Sequence, residues 1–185
     1  LGNAPFRRRF INRYADLVNT IFQSWAFSLE ANIAVDQIEA AMPHHIDRWN
    51  SPPSYGSWLN SVNAMVTHNQ NRVNTSRDHL MDSFGLPNDY ECTLDVSPAL
   101  VGLVRINTIV PGPLPWDGIY FEDVPVEIEA LAQPGYMFEQ WEANEHTATN
   151  DMDQFAKLNT VSLHSSDVYR AQFVPCPDDA AAAIL

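Results

Sequence analysis

Residues 86–96 read LPNDYECTLDV, and within this stretch the repeat of apolar side chains changes its period. Before it, apolar residues recur every three or four positions, which is typical of helices. From Glu91 to Val96, apolar and polar side chains alternate one by one, as in a half-buried strand. The chain is therefore predicted to be α+β, with an N-terminal all-helical segment followed by a small antiparallel β-domain.

Five helices are predicted before this stretch, over residues 6–25, from about 28 or 32 to 42, 44–49, 58–66 and 75–84. The first has an apolar face that begins with Phe6, Phe10 and Tyr14, and no Gly or Pro interrupts it. Thr75 is a candidate N-cap of the last helix, and Gly85 supplies its C-terminal stop.

About seven short strands are predicted after the stretch, separated by turn-forming residues. They cover residues 91–96, 104–107, 116–121, 124–131, 136–141, 160–164 and 168–174. The predicted domains are a helical segment at residues 1–86, an acidic antiparallel β-module at 87–175 and a tail at 176–185.

The charge of the chain is concentrated in its second part. The formal net charge is −13; residues 1–85 hold seven basic and seven acidic residues, and residues 86–185 hold three and sixteen. An acidic surface repels phosphate backbones, so a nucleic-acid partner is not expected. No apolar run approaches the roughly 20 residues of a membrane span.

Cys92 and Cys176 bracket the β-module. A structural disulfide between the first and last strands is one hypothesis if the chain is extracellular. Two free buried thiols are the alternative.

The sequence gives little indication of a catalytic, cofactor-binding or metal site. No glycine-rich phosphate loop or nucleophile elbow occurs, so no catalytic and no cofactor-binding residue is predicted. His44 and His45 are adjacent, which suits one metal ion poorly, and His45 is expected to be a hydrogen-bonded packing residue. A calcium ion is considered for the loop at 144–153, through Glu145, Asn150, Asp151 and Asp153.

Two stretches of the helical segment resemble the CotH family of spore-coat-type secreted kinases. Residues 13–20, RYADLVNT, are similar to the family's RYADLLNT segment, and residues 42–49, MPHHIDRW, to the stretch that follows it. The family's nucleotide- and metal-binding residues belong to a region N-terminal to these motifs, so the resemblance implies a non-catalytic C-terminal portion.

The β-module resembles a divergent bacterial repeat related to the internalin B repeat. The matching positions are Gly102–Asn107, Trp116–Phe121, Val126–Ala130 and Pro134–Trp141. Such modules follow CotH-like domains in bacterial surface and secreted proteins, so the resemblance implies a secreted, periplasmic or cell-surface location.

These observations predict a protein of structural support and of surface or partner binding, with a protein partner or self-association through the helical segment. Three alternatives stay open: part of an atypical kinase whose catalytic lobe lies upstream, a small hydrolase with a site between the two halves, and a matrix or filament subunit. The hydrolase would use residues such as His79, Asp82 and Asp89.

Overall fold

The computed structural model describes residues 2–143 and 152–177, and its regular structure changes from helix to strand after Phe84. The helices are α1 (Ala4–Asn19), α2 (Ser24–Ile38), α3 (Met42–Trp49) and α4 (Tyr55–Phe84), with a short 3₁₀ turn at Glu39–Ala41. The strands are β1 (Asp89–Ser97), β2 (Gly102–Ile106), β3 (Trp116–Phe121), β4 (Val126–Ala132), β5 (Tyr136–Ala143), β6 (Leu158–Val161) and β7 (Asp167–Pro175). The predicted α+β class and its order are confirmed.

Several helix predictions are wrong in their extent. The first helix ends at Asn19 instead of continuing to Trp25, and the side chain of Gln23 donates a 2.6 Å hydrogen bond to the carbonyl of Val18 near the helix end. The last two predicted helices are one helix, α4. The hydroxyl of Thr75 donates to the carbonyl of Asn71 inside it, so Thr75 is not an N-cap.

The end of α4 has the predicted glycine stop. Gly85 has a φ of +60°, and the amide of Leu86 donates a 3.0 Å hydrogen bond to the carbonyl of Met81. This left-handed residue with a long backward hydrogen bond is a common helix ending, because glycine adopts positive φ without a Cβ clash.

Contacts divide the chain into two compact units, Leu1–Asp16 with Met81–Leu185, and Leu17–Leu80. The first unit joins the first part of α1 to all seven strands. The domain boundaries predicted at residues 86 and 175 refer to segments of sequence and stay a prediction. Among helices in the described ranges, none has the length and apolar character needed to cross a membrane.

The strands of the first unit form two packed sheets. One sheet has the order β3-β1-β7-β5 and the other β2-β4-β6. All neighbouring pairs are antiparallel except β1 and β7, which run parallel. The alternating apolar positions of the strands face inward. The side chains with 0% exposure are those of Cys92, Leu94, Val104, Ile106, Val126, Ile128, Ala130, Tyr169 and Ala171.

Two glycines allow close aromatic packing in this core. A Cβ on Gly102 would lie 2.3 Å from the ring of Phe173, and a Cβ on Gly118 would lie 2.3 Å from the ring of Trp116. Because β2 and β7 belong to different sheets, the first contact shows how closely the sheets approach at this point. Trp116 is half-buried, and its ring lies against Gly118 of the same strand.

Candidate functional site

Asp16, in the motif that resembles the CotH family, is completely buried in the first unit. Its Oδ1 accepts hydrogen bonds from the Tyr120 hydroxyl at 2.9 Å and from Asn107 Nδ2 at 3.3 Å. Its Oδ2 accepts from the amide of Thr108 at 3.1 Å and from the Thr108 hydroxyl at 2.6 Å. A buried carboxylate needs such donors to offset its lost hydration, so these bonds fix α1 on the sheets.

Asn107 connects the same helix to the backbone of β4. It has a left-handed φ of +45° in the turn after β2, a conformation that Asn tolerates well. Its Oδ1 accepts from the amide of Glu127 at 2.9 Å and from Asn12 Nδ2 at 3.3 Å, and Asn12 also donates to the carbonyl of Pro125 at 2.9 Å. At the exposed rim, Arg13 Nη1 donates to the Thr108 hydroxyl at 2.7 Å. We call these residues of α1, the turn and β3 the Asp16 anchor: Asn12, Arg13, Asp16, Asn107, Thr108 and Tyr120.

The buried face of α1 differs from the predicted one. Phe6 and Phe10 are 54% and 41% exposed, whereas Ile11 and Ala15 are buried beside Asn12 and Asp16. Small and polar side chains let the helix approach the turn closely and hydrogen-bond to it. The signal was present in the sequence, because two polar residues at i and i+4 lie next to Ile11 and Ala15 on one helical face.

A second surface lies on α2, in the unit formed by residues 17–80. Trp25, Leu29 and Ile33 are 67%, 53% and 42% exposed. Their i, i+4, i+8 spacing places them along one side of the helix, over about 12 Å at a rise of about 1.5 Å per residue. We call these three residues the α2 stripe. The opposite side of α2 is the one that carries the buried Ala31.

This unit buries few of its apolar side chains. Of residues 17–80, all of them described, five are buried: Val18, Asn19, Ala31, Met42 and Leu80. Ile21, Phe22, Ile38, Trp49 and Met65 are exposed in addition to the α2 stripe. This unit therefore leaves more apolar surface exposed than is usual for a monomeric protein.

The predicted disulfide between Cys92 and Cys176 is not formed, and both thiols are free. In the parallel pair, Cys92 lies opposite Asp167 at the start of β7, while Cys176 follows the end of that strand. Nine residues of strand correspond to about 30 Å, far beyond the roughly 7 Å that a disulfide tolerates between Cα atoms. The parallel direction of β1 and β7 therefore keeps the two cysteines apart, and the alternative of two free thiols describes the structure.

Burial makes Cys92 an unreactive group. Its residue is 0% exposed, and desolvation raises the pKa of the thiol far above its usual range, with the carboxylates of Asp167 and Asp117 adding to the shift. The second cysteine, Cys176, is half-buried.

The other sequence candidates are not brought into a cluster. His44 and His45 are both exposed, so the expectation that His45 is a hydrogen-bonded packing residue is wrong. His79 and Asp82 are exposed on α4, and Asp89 is half-buried. Within the ranges that the structure describes, no group of three or more His, Cys, Asp and Glu side chains is arranged to hold a metal ion.

The loop considered for calcium lies largely outside the described residues, including Glu145, Asn150 and Asp151. Asp153 is described, and its carboxylate accepts a 3.0 Å hydrogen bond from the amide of Phe155. Asn159 is buried and donates to the carbonyls of Asp153 and Ala156. The end of this loop is therefore organised by hydrogen bonds from an amide side chain.

Residues 1–75 match the family model described as CotH kinase protein. This match covers 75 of the 185 residues, includes most of the helices, and supports the predicted resemblance of the first part of the chain. A search of the curated proteins gave no match to the chain, and a search of the solved structures gave none either. The resemblance of the strands to the internalin B repeat stays a prediction.

Proposed function

We propose that this chain, whose first 75 residues match the CotH kinase family, is a non-catalytic supporting portion of a CotH-like protein. In this proposal the α2 stripe packs against a kinase-like lobe, and the β-module contacts a surface or a protein partner. The observation that carries the proposal is the exposure of Trp25, Leu29 and Ile33 on a unit with few buried apolar residues.

The Asp16 anchor supports a structural role for the family motif. A carboxylate and an amide can bind ligands in other proteins. Here the Asp16 carboxylate and the Asn12 amide form hydrogen bonds with side chains and backbone of the first unit. These polar groups therefore hold α1 in place. A helix fixed in this way can support other elements without taking part in chemistry.

The β-module fits a role in contact at a cell surface or in a matrix. Its acidic excess keeps it soluble and favours basic partners. Together with the resemblance to a bacterial repeat, this supports a secreted, periplasmic or cell-surface location, where the module links the CotH-like part to a protein partner.

The test of the α2 stripe is an association experiment. The chain is mixed with a separately purified kinase lobe of a CotH-family protein, and the mass of the species in solution is measured by light scattering. We expect a complex with the lobe, or self-association of the chain alone, because the apolar stripe becomes covered in either case.

The Trp25→Lys/Leu29→Lys double variant is expected to abolish the association, and Ala34→Lys, at an exposed position of the same helix away from the stripe, is expected to preserve it. Circular dichroism checks that both variants fold. A wild-type chain that remains monomeric both alone and with the lobe would overturn the proposal, as would a double variant that associates normally.

The kinase alternative, taken as a nucleotide site within this chain itself, is tested by thermal unfolding with and without ATP and magnesium. A ligand that binds only the folded state raises the melting temperature, so the non-catalytic proposal expects no change. A rise of several degrees that requires ATP would favour the alternative instead.

A further inference from the structure

The first unit contains a cleft of about 580 Å³ between the start of α1, the link after α4 and the turn between β3 and β4. The buried part of its lining is apolar and comes from Ile11, Leu86 and Val124. Arg7 and Arg8 line it from α1, and Asp123 lines it from the turn. Apolar walls with a few polar groups are the usual composition of a binding cleft of this size.

The two arginines present N–H donors at the cleft. Arg7 donates through Nη2 to the carbonyl of Phe84, and its guanidinium carbon lies 5.5 Å from the centre of the Phe84 ring, so its position is fixed. Arg8 is exposed, and the described residues include no ion-pair partner for it. A guanidinium carries five donors, so each of these side chains has capacity for a carboxylate.

The acidic surface around the cleft limits the kind of anion that can bind there. Residues 86–185 hold sixteen acidic and three basic residues, and much of this excess lies in the same unit as the cleft. A nucleic acid extends well beyond the Debye length of about 8 Å, so its phosphates would meet this acidic surface. A single carboxylate close to two arginines meets local attraction instead.

We infer that this cleft binds a short, extended acidic segment of a protein partner. A carboxylate of the segment pairs with Arg7 and Arg8, and a neighbouring apolar or prolyl side chain fills the lining formed by Ile11, Leu86 and Val124. At the turn between β3 and β4, the carboxylate of Asp123 accepts a hydrogen bond from a backbone N–H of the segment or pairs with a cationic group of it. This site is separate from the α2 stripe and does not depend on the proposed function.

The inference is tested with the full chain by fluorescence anisotropy. The probe is a labelled, end-blocked peptide of sequence Gly-Glu-Leu-Pro-Glu-Gly, and its matched control carries Gln in place of Glu. We expect the acidic peptide to bind and the Gln peptide to bind at least tenfold more weakly. Equal binding of the two peptides would overturn the inference, as would the absence of binding by the acidic one.

Arg8→Gln is expected to weaken binding of the acidic peptide about tenfold, equivalent to about 1.4 kcal/mol. Arg9→Gln is the matched control, because Arg9 is exposed on the same helix but does not line the cleft. Unchanged binding by Arg8→Gln, with a wild-type melting temperature, contradicts the site. Two further results count against a peptide site: displacement of the peptide by an equal concentration of inorganic phosphate, and tighter binding of a single-stranded oligonucleotide.

Discussion

The phenol of Tyr120 donates a 2.9 Å hydrogen bond to the carboxylate of Asp16, which precedes it by 104 positions in the chain. Both residues are 0% exposed. One belongs to a helical motif that resembles the CotH family, and the other belongs to β3. The bond therefore joins α1, up to Asp16, to the same compact unit as the strands.

Removal of the Asp16 carboxylate should destabilise this unit strongly. Asp16→Ala removes the acceptor of three hydrogen bonds from Thr108 and Tyr120, and we expect a loss of about 3 kcal/mol in the free energy of unfolding. Tyr120→Phe removes the hydroxyl bond to Asp16 and should cost about 1 kcal/mol. Equilibrium urea unfolding measures both values. Arg13→Gln, which changes an exposed bond to Thr108, should cost less than about 0.5 kcal/mol. If Tyr120→Phe is as stable as the wild type, the anchor does not contribute as described.

Gly102 should not accept a side chain. The methyl group of Gly102→Ala would meet the Phe173 ring at 2.3 Å, and we expect a loss of about 1–3 kcal/mol because the two sheets must separate or the ring must move. Gly56→Ala is the control, since the nearest atom there is 4.0 Å away and the position is helical, where alanine is favoured. Thermal unfolding compares the two, and a Gly102→Ala variant as stable as Gly56→Ala would disprove the close packing.

The two thiols should differ in their reactivity. Cys92 is fully buried and has a raised pKa, so it should not react with a thiol reagent at neutral pH, whereas the half-buried Cys176 should react. A thiol titration is expected to give one reactive group per native chain and two in denaturant. Cys176→Ser should reduce the native value to none. A native chain with no reactive thiol, which regains both on reduction, would indicate a disulfide instead.

The ion pair between Arg105 and Glu129 predicts a dependence of stability on pH. The hydrogen bond from Arg105 lowers the pKa of Glu129, with a further contribution from Lys157 at 3.4 Å. Because the pKa of Glu129 is lower in the folded state than in the unfolded state, its ionised form stabilises the fold at pH values above the unfolded pKa of about 4.3. This contribution is lost as the pH falls through the lowered pKa of the folded state.

Glu129→Gln should therefore be less stable than the wild type at pH 6, and the difference should shrink toward pH 3. Urea unfolding at several pH values measures it. Glu127→Gln is the control, because Glu127 is exposed two residues earlier on β4 and has no ion-pair partner within the described ranges. A difference for Glu129→Gln that does not change with pH would contradict the role of the ion pair.

The sequence predicted the helices and strands better than it predicted how the strands pair. Alternation in the stretch that starts at Glu91 identified β1, and Gly85 identified the end of α4. The same patterns gave no information on the direction of β7 relative to β1, because alternation is identical in parallel and antiparallel strands. The choice between a disulfide of Cys92 and Cys176 and two free thiols stayed open in the sequence, because only the strand direction decides whether the two residues can meet.

The candidate surfaces were predicted less completely. The apolar character of Trp25 was evident from the sequence, but periodicity placed it on the buried face of the first helix. The first helix ends at Asn19, and Trp25 lies instead on α2, where it is exposed. Asp16 lies in the motif that resembles the CotH family, but the sequence does not predict its burial, because the donors of Thr108 and Tyr120 come from distant parts of the chain.

The sequence by itself determined where helices give way to strands, which side chains of each strand face inward, and where the acidic charge lies. These properties depend on periodicity and composition, which are local. The tertiary structure alone decided that β1 and β7 run parallel, that Asn12 and Asp16 face the turn at Asn107, and that Arg7 and Arg8 line a cleft. Each of these depends on contacts between residues far apart in the chain, and such contacts are fixed only when the chain has folded.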